Sequence, residues 1–207
     1  MADLLENIFG TLFSPASTFR RMLEERTSVT IATIIVLIAC ICSGVGSILT
    51  QSVVMSMFAE FPSFEPALDF EETMLSPAAS MTLSVVVGFI GWVVTAGILH
   101  LVAKILGGKG VFTEMLVLMG FALLPNIFQA PIGLVVILSG GLTGAFLSMV
   151  LGGILAIWIL ILDIIAIREA HKFSTGRAIA TLILPFAILI VLAFILVIGI
   201  FLMSGIL

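Results

Sequence analysis

At 207 residues the chain has room for one domain or at most two, and it is 61% hydrophobic and only 10% charged, with a mean hydropathy of +1.38. A soluble domain carries about 25% charged residues, so a water-soluble fold is excluded. The formal charge of −4 says little about partners, because acids and bases are segregated along the sequence.

Residues 1–28 precede any span. Leu4, Leu5, Ile8, Phe9, Leu12 and Phe13 recur at helical spacing, with Asp3, Glu6, Asn7 and Gly10 between them. That stripe predicts an amphipathic helix lying in the membrane interface, read first as a re-entrant anchor that seals the cytoplasmic mouth of the bundle and second as a membrane-sensing or partner-docking element. Ser14 followed by Pro15 predicts an N-cap and first helical residue, opening a second short helix through Phe19, Met22 and Leu23. A secretory signal begins with bases; here Asp3 and Glu6 come first and Arg20 and Arg21 are the first bases, so none is expected.

Five segments are long and apolar enough to span a bilayer as helices, roughly 29–50, 79–103, 111–138, 144–167 and 178–203. Cys40 and Cys42, two apart in the first, point to different sides of a helix and read as small core residues, not as a disulfide or metal pair. The loop 51–78 gathers Glu60, Glu65, Asp69, Glu71 and Glu72 without the Asp and Gly spacing of a calcium loop, so a solvated cap is expected. Pro125 and Pro131 predict a kinked third span. A plain kink is the first reading there, and a small polar pocket at Pro125, Asn126 and Gln129 the second. Ser139 to Thr143 predict a tight turn. Gly140, Gly144, Ser148 and Gly152 suit close contact with another helix, in the same chain or in a second copy as a homo-oligomer. Trp92 and Trp158 lie deep in their spans and read as core fillers, and Pro185 is expected to bend the fifth span.

All eight bases fall in alternate connecting segments: Arg20, Arg21 and Arg26; then Lys104 and Lys109; then Arg168, Lys172 and Arg177. Lys and Arg accumulate on the cytoplasmic side, so this division predicts five spans with the N-terminus in the cytoplasm, the C-terminus outside and loop 51–78 external.

Charged residues within a span are costly and therefore candidates for function. Asp163 precedes Arg168 by five residues, about 7–8 Å along a helix. It shares a face with Ser148, Gly152 and Ala156, and so is predicted to point into the bundle. Glu114 opens the third span at the positive end of its helix, and His100 and Lys104, four apart, share a face. With Arg168, His171, Lys172 and Arg177 these residues make a predicted polar cluster at the cytoplasmic rim. It reads first as an ion-pair cluster that fixes helix positions and second as part of a transport path. The middle of the membrane reads as dry. No His-Glu-x-x-His, Gly-x-Ser-x-Gly or intramembrane Asp pair occurs, so no enzyme, metal or cofactor is expected.

Three stretches occur in order: Leu12-Phe13-Ser14-Pro15 with Phe19, then Phe121-Ala122-Leu123-Leu124-Pro125, then Trp158 through Arg168-Glu169-Ala170-His171-Lys172-Phe173-Ser174 with Arg177-Ala178. In them the chain resembles, over essentially its whole length, the Yip family of five-span membrane proteins, known in eukaryotes as partners of Ypt/Rab GTPases in vesicle traffic. The resemblance implies an all-α transmembrane bundle with a cytoplasmic N-terminus, residues 1–28 forming an amphipathic segment and 29–207 the membrane domain. It supplies no catalytic residues. The long cytoplasmic region of eukaryotic members has no counterpart here, so the resemblance is to a prokaryotic member in a cell membrane, where a Rab partner is not implied. The expected function is a non-enzymatic organiser or adaptor that binds a cytoplasmic protein or anionic lipid through the Arg168 to Arg177 loop. The bilayer is then one partner and nucleic acid is none. The alternative is a small transporter or channel around Asp163, His100 and the Pro125 kink.

Overall fold

A computed structural model describes residues 2–59 and 76–203, which are helical apart from short connections. The five apolar segments are helices because a lone segment in lipid can satisfy its peptide groups only within itself. They are α3 (Val29–Ala59), α4 (Pro77–Ile105), a broken third span, α7 (Gly141–His171) and α8 (Thr175–Met203). The third span divides into α5 (Phe112–Ala122), a 3-10 turn (Leu124–Phe128) and α6 (Gln129–Ser139). Each of the five is long and apolar enough to cross a membrane. Two short helices, α1 (Ala2–Phe13) and α2 (Pro15–Glu24), come first. The helix α3 runs past residue 50 to Ala59, and Glu60, Glu65, Asp69, Glu71 and Glu72 lie outside the described residues. The predicted turn at 139–143 shrinks to Gly140 between α6 and α7, where φ of 60° and ψ of 171° suit glycine alone.

The central helix is α3, which packs against α4, α5, α6 and α7. At its crossing with α6 the two backbones nearly touch: a Cβ on Gly133 would stand 2.9 Å from the Cα of Gly46. Small residues permit this approach. The sequence suggested that role for Gly140, Gly144, Ser148 and Gly152, but only part of the stripe performs it. Gly144 is buried against Val53 and the carbonyl of Val136, whereas Gly152 is exposed with nothing within 4 Å. Gly46 and Gly133 do the work expected of it.

The bases gather at one end of the bundle, called here the basic end, because the α4–α5 loop, the α7–α8 loop and α2 meet there. The N-terminal hairpin is built into the core and not merely laid on it. Phe19 and Met22 of α2 are fully buried among Ala32, Met115, Leu118 and Ile167. Pro15 occupies the first turn of α2, yet the Ser14 side chain makes no cap; its carbonyl instead accepts from the hydroxyls of Ser17 and Thr18, each at 3.0 Å. The first helix packs on α2, α5 and the 3-10 turn. That turn begins 12 residues into the third span, about 18 Å from its start, so α1 reaches well below the rim. Its outer face leaves Leu5, Phe9 and Phe13 exposed.

The fifth span packs on α7 and α4. Its buried residues are Ala178, Thr181 and Leu182; from Ile183 to Ile198 every residue but Pro185 is exposed. Trp92 is buried, as expected of a core filler, and its indole N–H donates to the carbonyl of Leu116 at 3.0 Å. Trp158 is only half-buried and stacks on Phe128, the ring centroids 5.9 Å apart.

Candidate functional site

The residues predicted to form one rim cluster separate into groups. The first centres on Glu169, which sequence reasoning passed over. Its side chain is 9% exposed and takes hydrogen bonds from Arg20 Nε at 2.7 Å and from Arg168 Nη2 at 2.6 Å. Arg168 is thus not a free base but half of a clamp on a buried carboxylate, the other half coming from α2. The hydrogen bond to Glu169 raises the pKa of Arg20. A second pair on the N-terminal hairpin joins Arg21 to Glu6 and Asn7.

The second group is His100 and His171, whose ring centroids are 5.0 Å apart. His171 is 1% exposed, and neither its Nδ1 nor its Nε2 has a hydrogen-bond partner. The glycine-rich α4–α5 loop closes over it: a Cβ on Gly108 would meet the His171 ring, and one on Gly110 would collide with the Ala170 carbonyl. The N–H of Lys109 donates to the carbonyl of His171 at 3.3 Å, and Lys172 ends α7 in the left-handed region with φ of 55°. Lys104, Lys109, Lys172 and Arg177, with Arg26, are exposed and without an ion pair among the described residues. Glu114 accepts from the N–H of Val111 at 3.2 Å and so serves its own helix start. It also borders an open cavity of about 410 Å³ that Arg20, Glu169 and Lys172 share.

Asp163 belongs to neither group. It lies eight residues before His171 on α7, about 12 Å along the helix axis, and lines a cavity of about 270 Å³ with Ser43, Ser84, Thr95 and Asn126. The middle of the bundle thus holds a cavity whose largely apolar wall carries a few polar side chains. Ser43 of α3, Gly88 and Gly91 of α4, and Asn126 in the third span lie near the midpoints of their spans. Small side chains there leave a gap that the 3-10 break does not fill. Ser84 donates to the Cys40 carbonyl at 3.0 Å, and Gln129 donates to the Asn126 Oδ1 at 2.9 Å. The Oδ1 of Asp163 is buried without a partner. The inward aim predicted for Asp163 is what the structure has, although Gly152 and Ala156, thought to share its face, are exposed. Cys40 is buried and both cysteines are free. Among the described residues no group of three or more His, Cys, Asp or Glu side chains stands close enough to hold a metal ion.

No solved structure matches the chain. An uncharacterized protein of Methanocaldococcus jannaschii is 26% identical over 127 residues, which is 61% of this chain and 85% of that protein. The Yip1 domain matches residues 9–197, from α1 to the far end of α8. That span takes in most of the N-terminal hairpin and all or most of each of the five apolar helices, so this multi-pass membrane protein belongs to the Yip1 domain family.

Proposed function

We propose that the chain is a non-enzymatic organiser or adaptor of a cell membrane, inserted with its basic end in the cytoplasm, where it binds anionic lipid headgroups or an acidic protein surface. The observation that carries this reading is the contact of Lys109 with His171, which sets the α4–α5 and α7–α8 loops side by side. Lys104, Lys109, Lys172 and Arg177 are thereby presented at one end with no acidic side chain paired to them among the described residues. Each base near an anionic surface contributes about 1 kcal/mol, so four act as a substantial anchor. Residues 1–28 then serve as a hairpin that seals this end of the 29–207 bundle.

The test replaces Lys109, Lys172 and Arg177 together by Ala, leaving the Glu169 clamp intact. Lipids and proteins that copurify with each form are compared by mass spectrometry. Retention of phosphatidylglycerol is expected to fall several-fold in the triple variant; identical lipids and partners in both forms would count against this surface.

The cavity at Asp163 and Asn126 supports a second reading, a small transporter or channel, because an ionisable group facing a gap in mid-membrane is characteristic of such paths. Proteoliposome flux before and after Asp163→Asn separates the two, and an absence of flux across a broad panel of ions removes the second.

A further inference from the structure

We infer that the mid-membrane cavity is a binding site for one small monovalent metal cation, of the size of sodium, held on the carboxylate of Asp163. This holds whether or not the ion crosses the membrane, and it does not rest on the adaptor reading. Asp163 Oδ1 is buried and unpartnered, and a bare carboxylate in a low-dielectric interior is costly unless a proton or a bound cation neutralises it. Among the described residues no Lys or Arg lines the cavity. Its wall is largely apolar, but it carries three oxygen-bearing residues besides Asp163 and Ser84, namely Ser43, Thr95 and Asn126, the last already accepting from Gln129. Hard cations take such ligands.

The broken third span adds a second contribution of the same sign. Met119 and Leu123 of the last turn of α5 and its cap also border the cavity, so the negative end of that helix lies beside it. Pro125 has no N–H to give, and the N–H of Asn126 turns to the carbonyl of Leu123. The α-helical ladder is therefore interrupted next to the cavity wall at Leu123 and Asn126. Interrupted helices that offer freed carbonyls at mid-membrane depth are the recurrent setting for sodium sites.

The charge count selects the ion. One carboxylate with one monovalent cation is neutral and can stay buried. A divalent ion would leave a net positive charge there, and calcium ordinarily recruits several carboxylates. At about 270 Å³ the cavity has room for the ion and several waters to complete its shell.

Trp92 lines the same cavity, so intrinsic fluorescence of the purified chain in detergent reports on it. Thermal unfolding is followed at fixed pH and ionic strength in sodium, potassium or choline chloride. Sodium at ten times its Kd is expected to raise Tm by about 3–6 °C over choline, with saturation and with one sodium-22 bound per chain. Asp163→Asn is expected to fold and lose the shift, and Glu114→Gln, a carboxylate at the rim, to keep it. Should Asp163→Asn fail to fold, Ser43→Ala and Asn126→Ala decide: each is expected to weaken apparent sodium affinity at least threefold, and an unaltered response in both overturns the site. The proposal is also overturned by equal Tm in sodium and choline, by a sodium shift that survives in Asp163→Asn, or by a shift that acidification alone produces.

Discussion

Glu169 of α7 and Arg20 of α2, 149 positions apart in the chain, meet at 2.7 Å, with Arg168 closing on the same carboxylate. The pair ties the N-terminal hairpin to the end of the fourth span. Removing Glu169 leaves two guanidiniums facing each other, one of them largely exposed. Glu169→Ala is therefore expected to cost about 1–2 kcal/mol, a fall of roughly 2–8 °C in Tm. In a double-mutant cycle with Arg20→Ala, measured by thermal unfolding in detergent, the two effects should be clearly less than additive. Strict additivity would mean the hairpin is held by Phe19 and Met22 alone.

The crossing of α3 and α6 gives a second prediction. Gly133→Val puts branched carbon where the Gly46 backbone stands 2.9 Å from a Cβ position, and overpacking of this kind costs about 1–3 kcal/mol. Gly152→Ala and Gly153→Ala, with nothing within 4 Å, should be neutral or slightly stabilising. Thermal unfolding of the three variants side by side checks the contrast, and a harmful Gly152→Ala would point to a second chain packed on that face.

The closure of the α4–α5 loop over His171 makes a third. Both ring nitrogens of His171 are unpartnered, so the apolar His171→Leu should be nearly neutral or stabilising in isolated protein. Gly110→Ala, which drives a methyl into the Ala170 carbonyl, should lower Tm by several degrees. A large loss in His171→Leu would show that the imidazole pair has a partner in solution.

Orientation is open to direct measurement. In a chain freed of Cys40 and Cys42 by Ala, a Ser174→Cys probe at the basic end is expected to react with an impermeant maleimide only after the cells are opened. A Ser139→Cys probe at the other end is expected to react in intact cells. The reverse pattern would invert the topology and remove the cytoplasmic adaptor reading.

The five spans and the break at Pro125 were legible in the sequence, because lipid fixes the length of an apolar helix and proline lacks the donor a helix needs there. The partition of the rim was not. Each span is apolar on nearly every side, so periodicity does not say which face of α7 meets α3 or α4, and Asp163 was grouped with His171 on sequence nearness alone. Glu169 sits beside Arg168 in one of the stretches that carried the family resemblance, yet its importance comes from Arg20, a contact no local pattern encodes. The one usable signal was an acid inside the last turn of a span, in a stretch where the other ionisable residues, Arg168, His171 and Lys172, are basic. Gly46 and Gly133 were likewise hidden, lacking the four-residue glycine repeat that drew attention to Gly140 and Gly144.

The last helix is fastened at Ala178, Thr181 and Leu182 and nowhere buried beyond them up to Ile198. The buried contacts of the fifth span with the other four thus lie near one of its ends. In a thinner bilayer that helix can lean to shorten its reach, at a fraction of a kcal/mol per Å of mismatch, without disturbing Asp163 or the Glu169 clamp. Differences in membrane thickness would accordingly be absorbed at the periphery of the protein, by the swing of a single rod.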